Sequence, residues 1–192
     1  MLETYKELFD EYLKNNDERE LINHIFFLKP TLKKESKIMC MIIQEISKNL
    51  EIPFKNIKVI GSAHIGFSLV KPLESSEIKY YDETSDIDIA IISKSLFYKL
   101  YKSTVMNTSY FKDNTNFSSP VSERLFKDNL LKGYIRPDTI GDKILRKEWL
   151  NFFKGLGKEI EIKISAAVYL DEDAFHNKLK EAINIYKNKL EG

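Results

Sequence analysis

The chain has 192 residues, enough for one domain with a sizeable core and barely enough for two. Hydrophobic residues at 43% and charged residues at 31% are ordinary for a globular protein and exclude a disordered or fibrous one. Thirty basic against 29 acidic residues leave a formal charge of +1, no signal for a long nucleic-acid partner. The single cysteine, Cys40, excludes a disulfide framework within the chain and fits a reducing, cytoplasmic setting. It sits among Ile38, Met41, Ile42 and Ile46, where a buried thiol is expected. No apolar run approaches a membrane span, and the acid-bearing start lacks a signal-peptide core, so no membrane partner is expected. His24, His64 and His176 are scattered without the spacing of zinc ligands.

In chain order, residues 2–14 read as a helix with Leu2, Tyr5, Leu8, Phe9 and Tyr12 on one face. A second helix covers 18–28 and stops at Pro30, and a third covers about 33–49. Pro53 and Asn56 precede a short apolar strand, Ile57 to Ile60, that turns at Gly61-Ser62 into one or two helical turns. Residues 71–85 are polar and aperiodic, a loop with room for a short hairpin near Ile78-Tyr81. A strand follows at Ile87–Ile92, then a helix over 94–105 and an Asn-, Thr- and Ser-rich loop over 107–118. Ser119-Pro120 caps a helix ending near Gly133. Asp138 is placed to cap the next helix, which carries Leu145, Trp149, Phe152 and Leu156 and ends at Gly157. Glu159 to Ser165 alternates as a strand, and 172–190 closes as a helix.

These elements imply an α+β fold, a small mixed sheet packed by surrounding helices behind an N-terminal helical segment. A single domain over 1–192 is expected, with N-terminal helices in 1–50, a sheet core with helical insertions in 57–170 and a C-terminal helix in 171–192.

The run Ser85-Asp86-Ile87-Asp88-Ile89-Ala90-Ile91-Ile92 carries the chemistry. Strand alternation puts Asp86 and Asp88 on one face and Ile87, Ile89 and Ile91 on the other. Two ionised carboxylates held that close repel, and a hard divalent cation relieves the repulsion. Ahead of them, Gly61 and Ser62 offer backbone N–H groups and a hydroxyl to an anionic phosphate. A phosphate cradle followed by a metal-binding Asp pair points to a nucleotide.

This arrangement resembles the signature of the nucleotidyltransferase superfamily, the polymerase-beta-like fold: a hydrophobic strand, Gly-Ser, a short helix with a second glycine (here Gly66), then Asp-x-Asp on the next strand. The likeness covers residues 57–92. It implies a Mg²⁺- or Mn²⁺-dependent transfer of a nucleoside monophosphate from an NTP, ATP favoured, to a hydroxyl on a protein, an RNA or another nucleotide, with release of pyrophosphate. It also implies a third carboxylate from a later strand. Glu161 is the candidate, with Glu159 as its alternate, on a strand face shared with Lys163 and Ser165. Asp86, Asp88 and Glu161 would then be the catalytic and metal-binding set, and Gly61, Ser62, Lys132 and Arg136 the nucleotide-binding set.

Lys132 and Arg136 rank first among Arg124, Arg146, Lys147 and the other cations because they flank Gly133-Tyr134, where backbone can approach a ligand. Tyr134 is either a base-stacking platform or core. The family's small members act on partner toxins and its larger relatives make cyclic nucleotide signals in phage defence, so a toxin–antitoxin or antiviral setting is implied by analogy. Two departures stand out. The insert 70–84 lengthens the interval between Ser62 and Asp86, and little chain follows the third strand for a separate acceptor-binding helical domain. The competing reading is a non-catalytic nucleotide- or metal-binding module within a larger assembly.

Overall fold

The structure, a computed structural model, describes residues 5–15, 18–32, 36–70, 78–82 and 84–191. Leu2 and most of the insert 70–84 lie outside the described residues. The fold is α+β: helices packed on one mixed four-stranded sheet of order β1-β2-β4-β3, preceded by N-terminal helices. Its strands are β1 (Ile57–Ile60), β2 (Ile87–Ile92), β3 (Tyr134–Ile135) and β4 (Ile164–Tyr169). β3 runs antiparallel to β4, with Tyr134 opposite Tyr169 and Ile135 opposite Val168. The chain divides into two compact units, Met1–Asp88 with His176–Gly192, and Ile89–Phe175.

In the first unit, α1 (Lys6–Lys14) buries Phe9, whose ring meets Phe67 and Tyr186 edge-on at 5.6 and 5.7 Å. Helix α2 (Glu18–Ile22) continues into a π-helical stretch, Asn23–Leu28, which buries Ile25 and Phe26. Helix α3 (Ser36–Leu50) buries Met39, Ile42 and Ile46, spaced i, i+3, i+7. That stripe corrects the expectation for Cys40: one residue from Met39 turns it about 100° away, and it is exposed. The turn after Gly66 pairs with residues 79–81, inside the insert 70–84. Phe67 bridges Tyr80, Ser68 N–H donates to the Lys79 carbonyl, and Tyr81 N–H donates to the Gly66 carbonyl. In place of the hairpin expected near Ile78-Tyr81, Tyr80 makes a single bridge back to Phe67.

In the second unit, α5 (Lys94–Asn107) is capped by Ser93, whose hydroxyl accepts from Leu96 N–H. Helix α6 (Pro120–Leu131) has Ser119 as cap and proline in its first turn, as the sequence predicts. Helix α7 (Lys143–Glu159) is capped by Asp142, not Asp138; Asp142 Oδ1 accepts from Ile144 and Leu145 N–H at 3.0 Å each. Asp138 instead sits in a 3₁₀ turn, Pro137–Thr139, paired with Arg136. The core here packs Phe126 with Phe117 and Tyr134 with Tyr169.

The largest departure from expectation lies at residues 159–165. Helix α7 runs past Gly157 to Glu159, and β4 does not begin until Ile164. The link is a Schellman turn: Ile162 N–H donates to the Gly157 carbonyl at 3.0 Å and Glu161 N–H to the Lys158 carbonyl at 3.4 Å. Glu161 is its left-handed residue, with φ 54°. A side chain at Gly157 would collide with the Ile162 carbonyl, so this glycine permits the fold-back instead of ending the helix. The closing helix, α8, spans Glu172–Glu191.

Candidate functional site

Burial along β2 follows the expected alternation. Ile87, Ile89 and Ile91 are buried, whereas Asp86, just ahead of the strand, and Asp88 are half-buried. The isoleucines anchor the strand in the core and so fix which way the two acids face. Beyond Asp88, Ala90 and Ile92 are buried too, so accessible chemistry is confined to the strand's first residues.

The segment leading into Asp86 is held by a box that sequence reading missed. Asp82 Oδ1 accepts from Thr84 N–H at 2.9 Å, Thr84 Oγ1 at 2.7 Å and Ser85 Oγ at 3.0 Å. Ser85 Oγ in turn accepts from Asp82 N–H at 3.1 Å. These bonds, the Thr84 hydroxyl first, hold the Asp82 carboxyl below the usual carboxylate range. The signal was present as an Asp with Thr and Ser two and three residues on, the pattern of an Asx turn.

The Gly-Ser turn meets this strand directly. Gly61 has φ +65°, a backbone state that side chains resist, and a Cβ there would lie 3.0 Å from Asp88 Oδ2. Gly61 is favoured by its conformation, and a side chain there would also press on the Asp88 carboxylate. Helix α4 (Gly61–Ile65) then carries the half-buried Ser62 and buries Ala63, His64 and Ile65. Gly66 ends it in the left-handed conformation, with its N–H on the Ser62 carbonyl at 2.9 Å.

His64 is an anchor for this helix. It is 3% exposed, stacks on Phe26 at 5.2 Å, and places Nε2 2.8 Å from the Ile25 carbonyl and Nδ1 3.2 Å from Thr31 Oγ1. The carbonyl can only accept, so Nε2 carries the proton and Nδ1 accepts from the hydroxyl. Burial, before the opposing effect of the Ile25 bond, pushes its pKa below the ordinary histidine value.

The other expected site residues belong to the second unit. Glu161 is exposed in the turn after α7, where it lines an open groove with Lys154, Lys158 and Ile162. Glu159, the alternate, is the last residue of α7. The later of the two strands adjoining the Asp strand is β4, but its residues, Ile164-Ser165-Ala166-Ala167-Val168-Tyr169, include no acid. Among the described residues, no group of three or more His, Cys, Asp and Glu is placed to hold a metal ion.

Lys132 is the exposed residue after α6. Arg136 is committed to Asp138, through Nη2–Oδ2 at 2.6 Å and Nε–Oδ1 at 3.2 Å. Between them, Gly133 is approached by the chain itself: its carbonyl accepts from Leu170 N–H, and a Cβ would lie 2.8 Å from that of Ala174. Tyr134 is buried and stacked on Tyr169 at 5.5 Å, which settles it as core. Arg146 donates to the carbonyls of Asn116 and Ile140 and ties down the preceding loop.

Two hard oxygen donors on alternate residues suit one Mg²⁺, which is commonly held by one or two carboxylates together with substrate phosphates. No helix among the described residues is long and apolar enough to cross a membrane. No known protein family, curated protein or solved structure matches this chain.

Proposed function

We propose that this chain is a nucleotidyltransferase-type domain that binds an NTP with Mg²⁺ or Mn²⁺ at Asp86, Asp88, Gly61 and Ser62, and transfers the nucleoside monophosphate to a hydroxyl. The observation that carries this reading is the packing of Gly61 against the Asp88 carboxylate, within reach of a 3.0 Å Cβ contact. A turn suited to phosphate and a pair of carboxylates suited to a cation are thereby juxtaposed, as the superfamily signature requires. Asp86 and Asp88 would hold the metal of a metal–triphosphate, and the isoleucine face of β2 keeps them rigid. The half-buried Gly61 turn and the Ser62 hydroxyl would receive phosphate oxygens. The acceptor hydroxyl gives up its proton to solvent water, its oxygen bonds to the α-phosphorus as the bond to the α–β bridging oxygen breaks, and pyrophosphate leaves with that oxygen. A bound divalent ion would supply neutralisation of the charge that builds on those oxygens. A cytoplasmic setting, with a protein, an RNA or a nucleotide as acceptor and a role in toxin–antitoxin or antiviral systems, fits the lone cysteine and the compact size.

One observation favours a second reading, a non-catalytic nucleotide- or metal-binding module. Strand β4 carries no carboxylate beside the Asp strand, and two-ion phosphoryl transfer draws on more than two. Incubation with each labelled NTP and Mg²⁺ or Mn²⁺, wild type against Asp86→Ala/Asp88→Ala, separates the two. Pyrophosphate release that the double variant abolishes supports the enzyme. Metal-dependent nucleotide binding without release supports the module, and no metal-dependent binding at all rejects both.

A further inference from the structure

Helix α4 has five residues, too few to hold its shape alone, and bonds that fix it come from the start of the chain. Tyr5 N–H donates to the Ile65 carbonyl at 3.0 Å, and Leu32 N–H to the His64 carbonyl at 3.2 Å. Tyr5 also donates its hydroxyl to the Pro30 carbonyl at 2.7 Å, so two separate stretches of the N-terminal segment meet at residues 64–65. The His64 side chain joins the same junction through Ile25, Thr31 and Phe26.

The Ile25 carbonyl is open to His64 for a reason written in the sequence. It lies in the π-helical stretch Asn23–Leu28, a rare form often found at functional sites. There Lys29 N–H donates to the His24 carbonyl, five residues back, at 3.0 Å. The next rung would join residue 30 to Ile25, but residue 30 is proline and has no N–H. The proline also favours an extended Lys29, found at ψ 144°, and the helix stops. Ile25 is fully buried, and a buried carbonyl without a donor is costly. His64 Nε2–H fills the vacant rung. Three residues before His64, Gly61 lies against the Asp88 carboxylate, so the junction that seats α4 also seats this turn.

We propose that His64 is a positioning residue for the candidate nucleotide site, and that through it residues 5–15 and 18–32 control that site: the Gly61 turn stays against Asp88 only while this segment is docked. This role rests on the nucleotide reading of Gly61, Ser62, Asp86 and Asp88. Displacing the segment releases the turn and weakens metal–nucleotide binding without altering any group that touches the ligand.

The test joins hydrogen exchange of the ligand-free chain to titration with Mg²⁺–ATP. The Gly66 amide, bonded to the Ser62 carbonyl, reports on α4, and the Phe97 amide, bonded to the Ser93 carbonyl, is the control in α5. His64→Leu removes the donor, whereas His64→Gln keeps an N–H at the reach of Nε2. Pro30→Ala leaves α4 unaltered and gives residue 30 an N–H that competes for the Ile25 carbonyl. His64→Leu and Pro30→Ala should each speed Gly66 exchange and weaken Mg²⁺–ATP binding about tenfold, with Phe97 exchange unchanged. His64→Gln should stay within about twofold of wild type in both measurements. The proposal is overturned by Gly66 exchange that keeps its wild-type rate in both His64→Leu and Pro30→Ala, by an equal loss in His64→Gln, or by faster exchange with unchanged affinity. A wild-type chain that binds no Mg²⁺–ATP rejects the nucleotide reading and the positioning role with it; failure of the exchange measurement alone rejects only the positioning role.

Discussion

Glu161 offers the sharpest perturbation, because sequence and structure give it different jobs. On a strand it would be a metal ligand; in the Schellman turn after α7 it is a residue held at φ 54°. A left-handed conformation costs a side-chain-bearing residue about 1–2 kcal/mol, and glycine's added chain entropy offsets about 0.5–1 kcal/mol of the relief. Glu161→Gly should therefore stabilise the protein by about 0.5–1 kcal/mol, or roughly 1–4 °C in Tm for a chain of this size. Glu161→Ala removes the same carboxylate without relieving the backbone, so it should show no such gain. Glu51, after α3, is an internal replicate with φ 55° and Ile52 N–H on the Ser47 carbonyl at 3.0 Å. Glu51→Gly should shift Tm the same way. Thermal melts measure the stability effect, and calorimetric titration of Mg²⁺ and NTP into the same variants measures ligation. We expect Glu161→Gly to raise Tm and leave affinity within about twofold, well under the tenfold that 1.4 kcal/mol brings. A lowered Tm refutes the conformational reasoning; a raised Tm with metal-dependent affinity lost makes the carboxylate a ligand after all.

Gly61→Ala should cost about 1–2 kcal/mol through its φ of +65°, and should weaken Mg²⁺–NTP binding by displacing Asp88, read by melting and titration together. Asp142→Ala should destabilise by about 1 kcal/mol through loss of the α7 cap, whereas Asp138→Ala should do little; urea unfolding of the pair distinguishes the caps. His64 has a folded pKa depressed by burial, so the unfolded chain binds the proton more readily. Its contribution is fully present above the unfolded value of about 6.5 and is lost as pH falls below it, by at most about 1.4 kcal/mol per pH unit. Urea midpoints at pH 7.5 and 5.5 should show this loss in the wild type and less of it in His64→Gln.

What the sequence disclosed follows from which forces are local. Alternation of Asp86, Ile87, Asp88 and Ile89 is a two-residue rule, and burial in the structure obeys it. Ser119-Pro120 and Ser93 announced helix starts through side chains that satisfy their own neighbours. The misreadings arose at contacts, most of them short-range, that alternation and capping rules do not weigh. Glu159 to Ser165 alternates as a strand would, yet the α7 helix continues through Gly157 because Ile162 folds back onto its carbonyl. Asp138 was drawn away from capping by Arg136, a pairing no local rule weighs. Strand β3 has only two residues and exists through its register with β4. Cys40 turned outward because the α3 stripe begins at Met39, one position away.

The moved boundary before β4 also bears on what kind of site this is. Had Glu161 lain on the strand, its direction would have been set by the sheet and its distance from a metal by the strand spacing, both rigid quantities. In the turn it is exposed, on backbone already held at φ 54°. Precise ligation calls for groups on rigid elements supported by packing, and that description fits Asp88 on β2, with Gly61 pressed against it, far better. The chain therefore invests its rigidity in one carboxylate pair and the phosphate-side turn. That makes binding of a single metal–nucleotide unit the firmest part of the functional reading. Under the proposed function, transfer would depend on groups beyond these two carboxylates, and for this reason nucleotide titration should accompany every turnover assay.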